Sequence, residues 1–221
     1  MQYPQTPLNT VKRGAKKAAY DKATVHAILD ATEICHVAFS IEGRPHVQPI
    51  NFGREGEKLY MHGSLNNRMT NALIEAGEIC LSVSILDAMK ITRSAYHHSV
   101  NFRSVVVFGK VRELTANEEK LMGLKALINH FVPDRWDHCR PPNDNELKAT
   151  RIIEITIETA SAKIADRPSQ EEKKDYELDY WAGIIPVRTN YGDPLPDEKL
   201  REGTEVPEHI MDFYKRKNRD V

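Results

Sequence analysis

The stretch from Ile50 to Arg68 constrains the fold of this chain more than any other part of the sequence. It begins as a strand-like run, turns through a glycine-rich hairpin at Gly53–Gly56, and continues as a second strand-like run over Lys58–Gly63. Strands joined by so short a turn pair antiparallel, and a helical pattern of apolar residues follows the second one without a linker. The stretch therefore predicts a β-hairpin whose second strand runs directly into the start of a helix.

The start of that helix carries groups that suit an anion. A helix N-terminus has unpaired N–H groups and a partial positive charge, so it favours a phosphate. Arg68 lies in the first turn, where its charge opposes the helix dipole unless an anion lies between them. A solvent-exposed arginine without a ligand explains Arg68 equally well at this stage. The residues around the predicted site are His62, Gly63, Ser64, Asn66 and Asn67.

Composition excludes several classes of function. The chain has 31 basic and 32 acidic side chains, and without a basic excess nucleic acid is not expected as a partner. No apolar run is long enough to span a membrane, and Met1–Lys17 has no apolar core of a secretory signal. The three cysteines are widely spaced, which suits buried thiols in a reducing compartment better than disulfides. We therefore expect a cytoplasmic protein without a nucleic-acid or membrane partner.

Motifs for the common catalytic and metal sites are missing. The sequence has no C-x-x-C or H-E-x-x-H pair, so it gives no support for a metal site. It has no G-x-G-x-x-G after a strand and no G-x-S-x-G, the signatures of dinucleotide binding and of serine hydrolases. Three histidines remain as candidate proton donors, His62 at the strand end and the adjacent pair His97 and His98. A surface loop for the pair and a half-buried strand position for His62 are the plain alternatives.

The order of strand-like and helical segments predicts the architecture. Six or seven strands, mostly linked as hairpins, and two or three helices favour an antiparallel β-barrel with peripheral helices. The helices do not alternate with the strands as a doubly wound sheet requires. The predicted strands are Ile34–Ile41, His46–Phe52, Lys58–Gly63, Ile79–Leu86, Met89–Ala95, Phe102–Leu114 and Arg151–Thr159. The predicted helices beside the barrel are Gly14–Asp30, Asn66–Ala76 and a segment from a capping box at Thr115–Glu118 to Phe131. A further short helix is predicted at Glu205–Lys215, near the end of the chain.

Changes in composition divide the chain into three parts. Residues 1–30 form the predicted N-terminal helical segment, and residues 31–165 form the barrel domain. Beyond Asp166 five prolines and many charges replace the aliphatic residues, so we interpret residues 166–221 as a C-terminal arm. Only the run around Trp181 is apolar enough to pack, either on the barrel or on a partner subunit.

Several short stretches occur in an order and spacing typical of one known family. The stretches are Tyr20–Asp30, Gly43–Pro45, Leu59–Ser64, Arg68–Met69, Arg93–Ser99, Arg103–Gly109 and Trp181–Pro186. Together they cover most of the chain and resemble the flavin-nucleotide-binding branch of the pyridoxamine 5′-phosphate oxidase-like family, which is related to nitroimidazole-resistance proteins. The oxidases usually carry a second basic residue directly after the matching arginine, whereas this chain has Met69 there, so Arg68 is the main cation of the matching site.

The resemblance implies an FMN-binding split β-barrel, antiparallel and Greek-key-like, that forms a homodimer with two FMN molecules at the subunit interface. It implies that one strand runs along the isoalloxazine ring and supplies mainly backbone contacts. A flavin also needs a flat apolar slot, which we expect Pro49, Ile50 and Phe52 to line. Ser104 matches a polar residue that faces the flavin, and Trp181 matches an aromatic residue of the C-terminal arm. The ring-facing strand corresponds to Val47, Gln48, Pro49, Ile50, Asn51 and Phe52, and the next strand end and helix start correspond to His62, Gly63, Ser64, Asn67 and Arg68.

Three functions compete at this stage. The resemblance favours an FMN-dependent oxidoreductase that acts on a small molecule at the dimer interface, with the redox chemistry supplied by the cofactor. Pyridoxamine phosphate oxidation is less favoured, because the arm contains Trp181-Ala182-Gly183 where the oxidases have a basic motif. The alternatives are a non-catalytic flavin or haem carrier of the same fold, with a histidine as axial ligand, and a cofactor-free barrel that mediates dimerisation.

Overall fold

A computed structural model describes residues 1–218 and shows a mainly antiparallel β protein with short peripheral helices. The strands are β1 (Ala18–Ala19), β2 (Ile34–Ile41), β3 (Arg44–Asn51), β4 (Gly53–Glu55), β5 (Lys58–Ser64), β6 (Glu78–Ile91), β7 (Ser99–Leu114), β8 (Thr150–Ala165) and β9 (Gly183–Pro186). The helices are α1 (Lys22–Leu29), α2 (Arg68–Ala76), α3 (Asn117–Phe131), α4 (Asp144–Ala149) and α5 (Glu208–Lys217), with 3₁₀ turns at Ala15–Lys17, Ala95–His97, Arg135–His138 and Lys173–Glu177. Within the described residues no helix is both long and apolar enough to cross a membrane.

The sheet closes into a barrel because one strand bends and changes partner. Its strands follow the order β3-β2-β6-β7-β8-β5-β4, and all these neighbours pair antiparallel. Only Phe52 separates β3 from β4, so the chain leaves β2 and joins β5 within one residue. The two ends of the sheet are therefore covalently continuous, which confirms the predicted antiparallel barrel with peripheral helices.

Alternation along the strands separates the barrel interior from an outer face. Val37 on β2, Leu81 on β6 and Val107 on β7 are buried and lie side by side across the three strands. In the same layer β8 places Ala160 opposite Val107, so a small side chain faces a larger one. Helix α1 covers the interior with Leu29 and its apolar neighbours. Burial of each large aliphatic side chain contributes about 1.5–3 kcal/mol, and a one-residue slip would expose the whole set, so this layer fixes the register.

A glycine lets helix α3 lie directly on the bent corner of the barrel. A Cβ added at Gly53 would lie 2.5 Å from the Cα atom of Leu127 and 2.6 Å from the carbonyl oxygen of Ala126. The contact between α3 and the β4–β5 hairpin is therefore backbone against backbone. A second apolar cluster continues this contact and consists of Tyr60, Leu114, Ala126, Leu127 and Ile152. This packing holds β5, whose far end carries the predicted anion site.

The helix predicted over Gly14–Asp30 begins only at Lys22. The residues before it form a 3₁₀ turn and strand β1, which pairs with β8. Asp21 starts the helix, because its side chain accepts the N–H of Thr24 at 2.8 Å. The pairing of two short alanines with a long strand has no local sequence signal, which explains why the prediction ran too far towards the N-terminus.

The capping box predicted at Thr115–Glu118 is wrong. Helix α3 starts after Ala116, and no side chain caps it. A capping box occurs instead at the start of α4, a helix that we did not predict, where Asn143 and Glu146 each bond the other's backbone N–H. The sequence pattern of a polar residue followed three residues later by a glutamate is thus present in both places. The hydrogen bonds of a capping box form only at Asn143, where the helix begins directly after the polar residue.

Strand β6 runs without a break over a segment that we predicted as two strands. The register shifts between Leu86 and Ala88, so a bulge absorbs the turn expected at Asp87. The Asp87 side chain is then free to pair with Arg103 on β7, with Nη2 to Oδ1 at 2.7 Å. The lengthened β6–β7 hairpin extends beyond the barrel, and β9 of the C-terminal arm pairs with its outer part.

The C-terminal arm contacts the rest of its own chain at several places. Strand β9 pairs with β6, and Glu171 accepts the backbone N–H of Arg93 at 2.7 Å. The Glu171 side chain is nearly fully buried and also pairs with the Arg93 guanidinium at 3.1 Å. Near its end, Lys217 of α5 pairs with Glu33 before β2 at 2.7 Å. The arm is therefore anchored along its length to its own chain.

Candidate functional site

The end of β5 and the start of α2 meet at one corner of the barrel. Asn67 caps α2, because its side-chain oxygen accepts the N–H of Thr70 at 3.1 Å. Its own N–H donates to the carbonyl oxygen of Ser64 at 3.0 Å, which makes the turn from strand to helix tight. A Cβ at Gly63 would lie 3.1 Å from Asn67 Nδ2, so the cap packs directly on the strand end. The predicted residues Gly63, Ser64 and Asn67 are thus brought together beside Arg68, the first residue of the helix.

Both charged ends of α2 oppose the helix dipole. Arg68 opens the helix and Glu75 lies in its last turn, with no acidic residue in the first turn and no basic residue in the last. Each such placement is unfavourable by about 0.3–1 kcal/mol at low ionic strength. Both side chains are exposed, and within residues 1–218 neither has an ion-pair partner. An anion beside Arg68 would remove the conflict at the N-terminus, because the guanidinium and the helical N–H groups would both donate to it.

Arg68 opens onto a groove of about 650 Å³ between α2 and the β2–β3 turn. The turn is tight because Glu42 and Gly43 both have left-handed φ values, 51° and 74°. The groove is lined on one side by Ser40–Gly43 and on the other by the face of α2 that carries Arg68 and Glu75. Its volume lies in the range of small-molecule sites, about 300–1,000 Å³. The corner therefore combines a cation, free helical N–H groups and a space for an organic ligand.

Strand β3 presents only alternate residues to the outer face. Val47, which is 68% exposed, and Pro49 point outward, whereas Gln48 lies opposite the buried Val37 and points inward. Ile50 packs on the barrel core and Phe52 is fully buried at the bend. The prediction that Pro49, Ile50 and Phe52 line an outer slot is therefore wrong for two of the three side chains. Side chains alternate along a strand, so Ile50 points inward, and Phe52 is buried where the strand bends. Asn51 is half-buried at the end of β3.

His62 lies beside the corner but does not line the groove. It is half-buried, and its Nδ1 is shielded from solvent without a hydrogen-bond partner among the described residues. Burial lowers the pKa of His62, so the ring is neutral at pH 7. It lies on the same side of β5 as Tyr60, which packs in the cluster under α3. A neutral, partly buried imidazole suits a ligand or a hydrogen-bonding role better than that of a charged proton donor.

The remaining predicted site residues lie further along β6 and β7, away from Arg68. Ser104 on β7 pairs with Ser84, only three residues beyond Leu81, whereas Trp181 precedes β9, whose Gly183 pairs with Ile91 of β6. Leu81 pairs with Val37 in the middle of β2, and Ile91 lies ten residues further along β6. At about 3.3 Å per residue, Ile91 is on the order of 30 Å from the middle of the barrel. His97 and His98 occupy the tip of the same β6–β7 hairpin. Within one chain, Trp181 and the histidine pair are therefore far from Arg68.

At the hairpin tip the histidine pair is partly tied down. His98 Nδ1 lies 3.2 Å from the hydroxyl of Thr92 and 3.2 Å from the carbonyl oxygen of Ser94. His97 packs edge-on against Tyr96, which is 89% exposed. Trp181, just before β9, is 66% exposed. Tyr96 and His98 are thus exposed at the tip, whereas His97 is half-buried.

The groove contains residues that the sequence analysis did not single out. Glu75, Ala72 and Ala76 follow Arg68 on one face of α2, at the helical spacing of four and seven or eight residues. A helical projection of Asn66–Ala76 would have shown that Glu75 shares a face with Arg68. The contribution of the β2–β3 turn had no such signal, because it depends on how the barrel packs α2 against Ser40–Gly43.

Comparisons with known proteins agree with this architecture. Residues 21–164 match the family model described as pyridoxamine 5′-phosphate oxidase, and a search of the curated proteins found no match. Among solved structures, the flavocytochrome Anf3 from Azotobacter vinelandii is 37% identical over 94% of this chain and 96% of its own, with a TM-score of 0.87. An FAD and haem binding protein from Mycobacterium smegmatis is 30% identical over 89% of this chain and 96% of its own, with a TM-score of 0.84.

A more distant structure shares the fold alone. A protein described as a 5-nitroimidazole antibiotic resistance protein, from Bacteroides thetaiotaomicron, is 23% identical over 66% of this chain and 86% of its own, with a TM-score of 0.57. The family model covers about two thirds of the chain, from the start of α1 to the end of β8, and contains the whole α2 corner. The chain therefore belongs to the pyridoxamine 5′-phosphate oxidase family and has its split-barrel fold.

Proposed function

We propose that this chain binds a flavin nucleotide, with FMN or the FMN half of FAD at the α2 corner, and acts as an oxidoreductase on a small molecule. The observation that carries the proposal is Arg68, an exposed cation that opposes its helix dipole and opens onto the groove. Two relatives at least 30% identical over most of the chain are described as a flavocytochrome and as an FAD and haem binding protein, which supports a flavin as the anion.

The roles of the chain's own residues follow from their positions. Arg68 and the N–H groups of the first α2 turn would hold the phosphate, and Asn67 would fix that turn in place. The outer face of β3, with Val47 and Pro49, would lie along the ring. A bound flavin would supply the electron-transfer chemistry, and the chain would bind it, orient it and limit its access to water.

We also propose that two copies form the complete site. Trp181, His97 and His98 lie at the end of the barrel opposite Arg68, so in one chain they cannot reach the same flavin. The outer sheet face carries exposed apolar residues, among them Val47 and the 54% exposed Ile34, which a second chain would cover. In such a homodimer the histidine pair is the candidate proton donor to the bound substrate. The three free thiols, Cys35, Cys80 and Cys139, support a reducing compartment such as the cytoplasm.

The visible spectrum of the purified protein tests the flavin proposal first. We expect a yellow protein whose chromophore is released on denaturation as FMN or FAD. Arg68→Ala should lower the affinity of the flavin-free protein for FMN roughly 10- to 100-fold, because a charge-assisted bond to phosphate contributes about 1.5–3 kcal/mol. Arg201→Ala, an exposed arginine of the arm, is the matched control. An unchanged dissociation constant for FMN in Arg68→Ala would reject the proposed phosphate site.

Haem binding is the second candidate function. Both of the most similar structures reported above are described as haem proteins, and His62 offers a neutral imidazole with an unpartnered nitrogen. A Soret band in the purified protein, or after addition of haemin, would support it, and loss of that band in His62→Ala would assign the ligand. Turnover with reduced nicotinamide and a panel of quinones and nitro compounds then separates an enzyme from a carrier, since a carrier would show no acceptor-dependent oxidation.

A further inference from the structure

The face of α2 along the groove has opposite charges at its two ends. Arg68 and Glu75 both line the groove, and seven residues of helix separate them. Their Cα atoms therefore lie roughly 10 Å apart along the helix axis. Along α2 the groove is cationic where the helix begins and anionic where it ends, and Glu42 of the β2–β3 turn adds a second exposed carboxylate to the opposite wall. A ligand that fills it must carry its negative charge beside Arg68 and offer hydrogen-bond donors beside Glu75.

Helix stability does not explain this pair of charges. Each opposes the dipole at its own end of α2, and within the described residues neither is neutralised by an ion pair. The neighbouring Asn71 differs, because its side-chain oxygen accepts a bond from Arg151 at the start of β8 and so ties α2 to the barrel. Glu75 has no such structural contact. Its carboxylate is free to act on whatever occupies the groove.

Small side chains form one smooth row along the groove face of α2. Ala72 and Ala76 lie one helical turn apart on the groove face of α2, and Ile41 lines the opposite side. Asn71, which lies between Arg68 and Glu75 on α2, also lines the groove, so the smooth part of this wall is the row of Ala72 and Ala76. A planar or ring-shaped group can therefore lie along the helix, with apolar contact on both sides.

Among flavin nucleotides, the chemistry of this groove suits FAD better than FMN. FMN ends at its phosphate, so beyond Arg68 it would leave the groove empty. FAD adds a second phosphate, a ribose with two hydroxyl donors and an adenine ring. A carboxylate that accepts ribose hydroxyls is a recurring device in dinucleotide sites. We infer that the groove binds the adenosine monophosphate half of FAD, with the phosphates at Arg68, the ribose hydroxyls at Glu75 and the adenine along Ala72 and Ala76.

This inference rests on the proposed flavin function. A comparison of FMN with FAD distinguishes a failure of the adenosine site from a failure of flavin binding itself. The experiment titrates the full-length, flavin-free protein with FMN and with FAD and follows the quenching of flavin fluorescence. We expect FAD to bind at least about tenfold more tightly than FMN, which corresponds to one further hydrogen bond to a charged group. Glu75→Ala should lower the affinity for FAD about tenfold and leave the affinity for FMN within about twofold.

Two further variants complete the design. Ala76→Leu fills the groove from an exposed helical position and should also weaken FAD binding alone. Glu78→Ala is the control, since Glu78 lies just after α2 outside the groove and its pair with Lys110 is long, at 3.9 Å, and exposed. Equal affinities for FMN and FAD in the wild type, or an unchanged ratio in both Glu75→Ala and Ala76→Leu, would overturn the inference. If Arg68→Ala still weakens FMN binding in that case, the proposed phosphate site stands without the adenosine site.

Discussion

Single charges at the α2 corner should affect stability and ligand binding in opposite directions. Arg68 and Glu75 oppose the helix dipole, so in the flavin-free protein their removal should stabilise the fold by about 0.3–1 kcal/mol each. We expect Arg68→Ala and Glu75→Ala to raise the melting temperature by roughly 1–4 °C at low salt, as measured by differential scanning fluorimetry. Added flavin should reverse the order of the melting temperatures, because the wild type binds the ligand more tightly and is stabilised more by it.

The same experiment distinguishes a ligand site from a structural one. A residue that stabilises the native fold would lower the melting temperature when it is removed, with or without flavin. Arg201→Ala removes an exposed cation that lies outside any helix and should leave the melting temperature unchanged in both conditions. A destabilised flavin-free Arg68→Ala would contradict the interpretation that the charge is maintained for binding.

A buried carboxylate on β8 should make stability depend on pH. Glu154 has a nearly fully buried side chain that accepts bonds from Lys58 at 2.9 Å and from Arg112 at 2.8 Å. Burial alone raises the pKa of Glu154, but the bonds from Arg112 and Lys58 outweigh it and hold the pKa below its usual value. The stabilisation is therefore present above the pKa of the unfolded chain and is lost as the pH falls through the lower, folded pKa.

Glu154→Gln tests this assignment. The variant should lose roughly 1–3 kcal/mol of unfolding free energy at pH 7, because both cations keep only a neutral acceptor. The difference from the wild type should shrink below about pH 4, where the carboxylate itself is increasingly protonated. Urea denaturation at pH 7 and at acid pH measures both quantities. Lys58 and Arg112 are almost half exposed, so a loss near the lower limit is expected.

Residue positions near the site were predictable where local rules apply. The local pattern was enough to predict a strand over Lys58–Gly63 that runs into a helix with Arg68 in its first turn, and the structure has β5 and α2 there. The cap by Asn67 and its contact with Gly63 were not predicted. The side chains of Ile50 and Phe52 were assigned to the wrong side because the sequence does not show where β3 bends away from β2. Their orientation depends on barrel closure, which is a tertiary property.

At the scale of elements, Gly53 controls how α3 meets the barrel. A methyl group there would lie 2.5 Å from the backbone of Leu127, and the helix would have to move. We expect Gly53→Ala to lower the unfolding free energy by about 1–3 kcal/mol or more in urea denaturation, as overpacking usually does. Gly192→Ala is the matched control, because a Cβ there meets no atom within 4 Å. An equal effect of the two substitutions would contradict the close approach of α3.

Elements with strong local patterns were predictable, and those that depend on distant partners were not. Strands β2 and β7 have clear β-rich runs, and their predicted ranges agree with the structure to within a few residues. Strand β9 was not predicted because its four residues pair with a part of β6 that lies almost a hundred residues earlier. The bulge at Asp87 was mistaken for a turn. A polar residue that interrupts an apolar alternation gives the same sequence signal whether the strand ends there or continues through a bulge.

For the whole molecule, hairpin connections were enough to predict an antiparallel barrel, but not how the candidate site is distributed over it. The family resemblance assigned both Arg68 and Trp181 to the flavin site, whereas the structure places them at opposite ends of one barrel. Linear sequence carries no information on that separation. A site that needs both residues therefore requires two chains arranged so that the β6–β7 tip of one reaches the α2 corner of the other.

Mixed dimers test whether the two ends belong to one site. In homodimers of Arg68→Ala or of Trp181→Ala, every site is defective and flavin binding should be weakened. When the two variants are co-expressed, half of the dimers are mixed. If each site is shared between chains, every mixed dimer has one intact site, with Arg68 from one chain and Trp181 from the other. About a quarter of all sites should then bind flavin with wild-type affinity, as measured by titration of the purified mixture. If each site instead belongs to one chain, no intact site can form and the mixture should bind as weakly as its parents.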